Sequence, residues 1–219
     1  EALRRHVEGR ALPFHVPGHR MGRYLNEVCQ SGQSLKPLLA YDLTELDGLD
    51  NLHYPDPGGP IGMAQQLAAD AYGVQETLFL VNGSTVGNLA MILSLCRPGD
   101  TVLMQRNVHQ SLIHAAIMGN LRVEWIFPTW NGDWQVPGPV TVDAVKAAIE
   151  RVPDAKAVVL THPSYYGQAH PIGRCVNLAH QYDIPVLVDE AHGAHFAFSD
   201  LCPLSAVEAG ADMVVQSAH

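Results

Sequence analysis

The amino-acid sequence predicts an α/β fold of three layers, α/β/α, around a mainly parallel sheet. Three observations point there. From about residue 60 onward, short apolar runs alternate with helix-spaced segments. The runs are apolar at consecutive positions, as strands buried on both faces are. Gly, Pro and Asn punctuate the junctions.

The elements follow in order. Residues 1–8 read as a helix. Residues 11–60 are rich in Pro, Gly and His without sustained periodicity and read as an irregular arm. The apolar spacing Ile61, Ala64, Leu67, Ala68, Ala71 predicts a helix over 61–72, stopped by Gly73. Strands are expected at 77–81, 101–104, 122–127, 157–160, 185–188 and 213–216. Helices are expected at 85–95, 110–118, 141–151, 175–182 and 204–209, with Thr141 as an N-cap. Residues 128–139 read as a turn-rich excursion. The domain division expected is 1–60 for the N-terminal helix and arm, and 61–219 for the main domain. The sequence starts without Met and stops directly after a strand-like run, so both ends read as cut.

The formal net charge of the 219 residues is -9, and the 13 Lys and Arg residues form no run. Neither a nucleic acid nor an anionic membrane surface is expected as a partner. No apolar stretch approaches the ~20 residues of a bilayer span, and no signal peptide is legible. Cys29, Cys96, Cys175 and Cys202 form no CxxC pair and read as reduced thiols of a cytoplasmic protein.

In a parallel sheet, ligands sit beyond the carboxyl ends of the strands. Asn82-Gly83-Ser84-Thr85 follows one strand and opens a helix. Backbone N–H groups, two hydroxyls and the positive helix end make a phosphate cradle there, although a plain N-cap has the same look. Asp189 follows another strand, in Asp189-Glu190-Ala191-His192-Gly193-Ala194-His195. A carboxylate there can face the ligand crevice or cap the next segment. Ser217 offers a further hydroxyl. His109 can stack on a flat ring or serve as a polar helix opener, and Thr161 can bond a ring hydroxyl. The pairs His192/His195 and His15/His19 raise a metal site, but Pro17 and Gly18 interrupt the second and no HExxH is present. No metal is expected.

Phe14-His15-Val16-Pro17-Gly18-His19-Arg20, Asn82-Gly83-Ser84-Thr85, Arg106-Asn107-Val108-His109-Gln110-Ser111, the Asp189 to His195 segment and Ser217-Ala218-His219 occur in this order. Together they resemble the Orn/Lys/Arg decarboxylase family (group III) of fold-type I pyridoxal-phosphate enzymes. They look most like its shorter arginine decarboxylase type. The resemblance implies the large domain of the aspartate aminotransferase-like fold and pyridoxal 5'-phosphate as cofactor. It also implies a basic amino acid as substrate and a homodimer or higher homo-oligomer with the site at the subunit interface.

Residue by residue, the resemblance has Gly83, Ser84 and Thr85 hold the phosphate with help from Ser217, in the segment that includes His219. His109 would stack on the pyridine ring, Asp189 would pair with its nitrogen, His192 would lie beside it, and Thr161 would bond its hydroxyl. Asp189, His192 and His109 would be the catalytic set. The family has a Lys directly after the Ser-x-His segment, where this sequence stops. These 219 residues alone are therefore expected to be inactive. Glu45, Asp47, Asp50 and Asp56 are candidates to meet a cationic substrate end. An aminotransferase, aldolase or desulfurase with the same cofactor, a non-catalytic phosphate-binding relative and a metal hydrolase stay open as alternatives.

Overall fold

The computed structural model describes residues 1–9, 12–14, 17–23, 35–43, 49–51 and 55–218, with the backbone alone at Lys36. The chain divides into two compact units, Glu1–Phe79 and Leu80–His219.

The first unit carries helices α1 (Ala2–Glu8), α2 (Lys36–Leu39) and α3 (Pro60–Tyr72). Pro60 opens α3, where its missing N–H costs nothing, and Gly73 closes it in the left-handed conformation at φ 68°. The Asp50 carboxylate lies at the start of α3. It accepts N–H groups from Asp56 (2.6 Å), Asn51 (2.7 Å) and Gly62 (3.2 Å). Those bonds, the Asp56 N–H first, hold its pKa below the ordinary value.

The second unit is a five-stranded parallel sheet in the order β2-β1-β5-β6-β7, with a small antiparallel hairpin beside it. Its elements run α4 (Gly83–Leu95), β1 (Thr101–Gln105), α5 (Gln110–Met118), β2 (Arg122–Ile126), β3 (Trp130–Asn131) and β4 (Val136–Pro137). They continue with α6 (Val142–Arg151), β5 (Ala157–Thr161), α7 (Ile172–His180), β6 (Val186–Glu190), a 3-10 turn (Phe196–Phe198) and β7 (Met213–Gln216).

Every residue of β5 and β6 is buried, as the consecutive apolar runs require. The pairing register sorts the residues by face. Val102 and Met104, Ala157 and Val159, Leu187 and Val215 point to one face, against α4 and α5. Leu103, Val158, Leu160, Val186 and Val188 point to the other, against α6 and α7. Each large side chain fully buried in this way stabilises the fold by roughly 1.5–3 kcal/mol. Gly87 lets α4 lie directly on β7, because a Cβ there would come within 2.6 Å of Leu80 and 3.0 Å of Val215.

The three-layer α/β/α fold is as the sequence predicts, and two elements differ. Residues 77–81 form no strand: among the described residues no neighbouring backbone pairs with them, and apolar character alone does not make a strand. Residues 204–209 form turns rather than a helix. The segment is tied by single bonds such as Ala209 N–H to the Ser205 carbonyl at 3.0 Å. The 128–139 excursion contains the β3–β4 hairpin. Among the described residues, no helix is long and apolar enough to cross a membrane.

Candidate functional site

The chain runs from β1 outward to β2 and then back across to β5, β6 and β7, so the switch in direction falls between β1 and β5. A ligand crevice is expected at the carboxyl edge of such a point. Four segments meet along this edge: the start of α4, the loop after β1, the ends of β5 and β6, and the residues after β7.

At the α4 start, Gly83 has φ 67°, a conformation that side chains disfavour. The helix has no side-chain cap, so its first-turn N–H groups and its positive dipole end are open to an anion. Ser84 Oγ lies 2.5 Å from Ser217 Oγ, which joins the first turn of α4 to the end of β7. Thr85 is exposed beside Ser84.

Asp189 and Thr161 are register partners at the ends of β6 and β5, and both are buried. Pleating puts them on the same face, the one covered by α4 and α5. Asp189 Oδ1 accepts the Ala191 N–H at 3.1 Å, and Oδ2 accepts the Asn88 Nδ2–H at 2.9 Å. Thr161 Oγ1 and Asn88 Oδ1 are buried with no hydrogen-bond partner among the described residues. Two buried polar atoms without partners beside one buried carboxylate leave hydrogen-bonding capacity for a polar ligand at this edge.

His109 caps α5, its Nδ1 accepting the Ser111 N–H at 3.2 Å, and the Ser111 hydroxyl lies 2.8 Å from the same nitrogen. Its ring is largely exposed at the crevice. His192 is exposed after β6, edge-on to Tyr165, with ring centroids 6.2 Å apart.

Glu190, the neighbour of Asp189, points to the opposite face. It accepts the Ala206 N–H at 2.6 Å and the Gln216 amide at 2.7 Å. Burial pushes its pKa up to about 7. Two more buried groups pin the loop after β5. His170 takes the Val140 N–H on Nδ1 (2.9 Å) and donates from Nε2 to the Thr161 carbonyl (2.7 Å). His162 takes the His170 N–H and donates to the Leu204 carbonyl. Burial lowers the pKa of both, that of His170 to about 4.

The structure thus brings Gly83, Ser84 and Ser217 together at one point, with Asp189 and Thr161 side by side at another and His109 linked to Asp189 through Asn88. His219, His15, Glu45 and Asp47 lie outside the described residues. Asp50 spends its carboxylate on backbone N–H groups, and Asp56 accepts the Gly58 N–H. Among the described residues, no three His, Cys, Asp or Glu side chains gather as a metal site would require. Asn88, Ser111 and His170 escape the sequence reading. One signal for Asn88 was there: it stands four residues after Ser84, on the same face of an otherwise apolar helix.

The family model described as "Orn/Lys/Arg decarboxylase, major domain" matches residues 1–219. The chain belongs to the Orn/Lys/Arg decarboxylase family. YaaO, an uncharacterized protein of Bacillus subtilis, is 49% identical over 219 residues, covering 100% of this chain and 45% of YaaO. An arginine decarboxylase of Bacillus cereus is 40% identical over 220 residues, covering 100% of this chain and 47% of that protein. This decarboxylase-family chain therefore spans about half the length of the curated relatives it matches. Among solved structures, lysine decarboxylase A from Pseudomonas aeruginosa superposes with a TM-score of 0.80 at 23% identity, covering 100% of this chain and 32% of that one. The Escherichia coli constitutive lysine decarboxylase superposes with a TM-score of 0.73 at 23% identity, over 100% of this chain and 33% of that one. These two likenesses establish the shared fold.

Proposed function

We propose that the enzyme built on this domain removes the α-carboxyl group of a basic amino acid, arginine ahead of lysine or ornithine, using pyridoxal 5'-phosphate. The observation that carries this reading is the meeting of an uncapped helix start, two bridged hydroxyls and a buried carboxylate along one sheet edge. Membership of the family supports decarboxylation. Relatives named arginine decarboxylase, at 37–40% identity, support arginine.

The residues present fit the cofactor. The Gly83 to Thr85 turn and Ser217 would bind its phosphate, since open N–H groups and hydroxyls match a dianion. Asp189 would hold a proton on the ring nitrogen. Thr161 Oγ1, buried and unpartnered, would meet the ring hydroxyl. His109 would lie against the flat face, with His192 beside the ring. When bound, the cofactor supplies an electron-accepting ring that stabilises the carbanion left as carbon dioxide departs. The role of Asp189 is to keep that ring protonated. The Thr161 and His109 contacts would fix the orientation of the bound ring.

The reading extends to a homodimer with a shared site, as the family resemblance implies. It also extends to a cytoplasmic location, in keeping with the free thiols of Cys96, Cys175 and Cys202.

The test is made on the full-length protein. Carbon dioxide release is measured from arginine, lysine and ornithine, along with a visible cofactor band that borohydride bleaches. Release from arginine above the other two, with that band present, is the expected result. A protein that neither binds the cofactor nor decarboxylates any of the three overturns the reading.

A further inference from the structure

The hydrogen-bond chain beneath the site runs in one direction. The Ser111 backbone N–H can only donate, so His109 Nδ1, which it meets at 3.2 Å, is the unprotonated ring nitrogen. The Ser111 hydroxyl, 2.8 Å from the same nitrogen, therefore donates to it as well. That leaves Ser111 Oγ to accept, and Asn88 Nδ2 donates to it at 2.9 Å. The second amide hydrogen of Asn88 goes to Asp189 Oδ2, also at 2.9 Å. Turning the Asn88 amide over would set its oxygen against the Asp189 carboxylate and would strip Ser111 Oγ of its donor. One orientation alone gives both Asn88 amide hydrogens an acceptor and Ser111 Oγ a donor, leaving Asn88 Oδ1 as the unpartnered atom. Asn88, Ser111 and Asp189 are all buried, so water does not substitute for the links among these three.

We infer that Asn88 and Ser111 are positioning residues that tie the acid Asp189 to the ring of His109 and fix which nitrogen of that ring carries its proton. The inference rests on the reading of this edge as a pyridoxal-phosphate cradle, and it goes beyond that reading by assigning two residues outside the cofactor contacts proposed above. The arrangement has a chemical use. Asp189 would meet the edge of the cofactor ring and His109 its face. The Asn88 amide holds Asp189 directly and His109 through Ser111, so the two contacts keep a fixed separation. Because Nδ1 is occupied as an acceptor, the imidazole presents its Nε2–H outward.

The test uses the full-length protein with isotope-labelled histidine, together with Asn88→Ala and Ser111→Ala, each checked for folding by circular dichroism. In cofactor-free wild type, the His109 ring signals should be those of the Nε2–H form. Ser111→Ala should move the His109 Nδ1 signal. Asn88→Ala, which removes no atom bonded to a histidine, should move it too. Each variant should weaken pyridoxal-phosphate binding about tenfold and shift its absorption band, the scale of one lost buried hydrogen bond. A merely structural role would lower the melting temperature and leave the His109 signal where it was.

Folded variants that leave the His109 signal unmoved, or that bind the cofactor within about twofold of wild type, overturn the inference. If Asn88→Ala does not fold, the milder Ser111→Ala decides the matter by the same two measurements. A wild-type protein that binds no cofactor overturns the proposed function. The ring signal of the cofactor-free protein still decides whether this hydrogen-bond chain sets His109.

Discussion

The hydroxyls of Ser84 and Ser217, 133 residues apart in the chain, meet at 2.5 Å. One opens helix α4 and the other follows strand β7, so the contact closes the sheet edge over the uncapped helix start. If this is the phosphate cradle, each hydroxyl donates to a dianion. Removing such a bond costs roughly 1.5–3 kcal/mol. Ser84→Ala and Ser217→Ala in the full-length enzyme are therefore each expected to weaken pyridoxal-phosphate binding by about ten- to a hundredfold. Cofactor titration followed by fluorescence checks this. Unchanged affinity in both variants would move the phosphate elsewhere.

Among the described residues, Asp189 is the one buried carboxylate on the α4/α5 face at this edge, supported by Asn88 and the Ala191 N–H. Its proposed task is electrostatic, so its loss should harm the reaction more than the fold. Asp189→Ala is expected to lower the decarboxylation rate at least about a hundredfold. Pyridoxal-phosphate should remain partly bound, because the phosphate contacts survive. Rate and cofactor content measured on the same sample decide it. Near-normal decarboxylation would remove Asp189 from the mechanism.

The sheet was legible because its strands are buried on both faces, and that burial writes unbroken apolar runs such as Val186 to Val188 into the sequence. The same signal misleads at 77–81, where an equally apolar run has no neighbouring strand to pair with among the described residues. A strand is a property of two segments, and periodicity reports on one. The site residues at strand ends were legible through position: Asp189, Thr161 and Ser217 each follow an apolar run. Asn88 and Ser111 were not, because they act from helices through partners as far as 101 residues away in sequence. Glu190 shows the limit from the other side. It stands next to Asp189, yet the pleat of β6 turns it to the opposite face, where Gln216 and Ala206 take it up.

His170 ties the end of β5 to the segment leading into α6. Replacing it with leucine leaves the Val140 N–H and the Thr161 carbonyl without partners in a buried place. Each unsatisfied group costs about 1–3 kcal/mol, so His170→Leu is expected to destabilise the protein by roughly 2–5 kcal/mol. Thr161 should also shift, because its carbonyl is the anchored group. Thermal unfolding with and without cofactor separates the two effects. The variant should lose stability in both states and should also gain less from the cofactor than wild type does. A melting temperature equal to wild type would show that the bonds contribute nothing.

Glu190 gives the pH dependence its sign. Burial pushes its pKa up to about 7, while the unfolded chain has the ordinary value of 4.5. Below pH 4.5 the group is protonated in both states and has no effect. Between 4.5 and 7 the unfolded chain releases the proton and the folded one keeps it, so stability falls as pH rises across that window. Above 7 the full penalty is present, on the order of 3 kcal/mol at 1.36 kcal/mol per pKa unit. Glu190→Gln has no proton to lose. Its carbonyl can still accept the Ala206 N–H, and Gln216 can turn its amide to receive the new N–H. The melting temperature of the variant relative to wild type should therefore rise steadily from pH 5 to pH 8 and level off beyond. His170 acts in the other direction: its lowered pKa makes stability fall as pH drops from 6.5 toward 4, in both proteins alike. The difference between the two melting curves isolates Glu190. A difference that stays flat across pH 5 to 8 would mean that the buried carboxylate is ionised throughout and is held by its two donors.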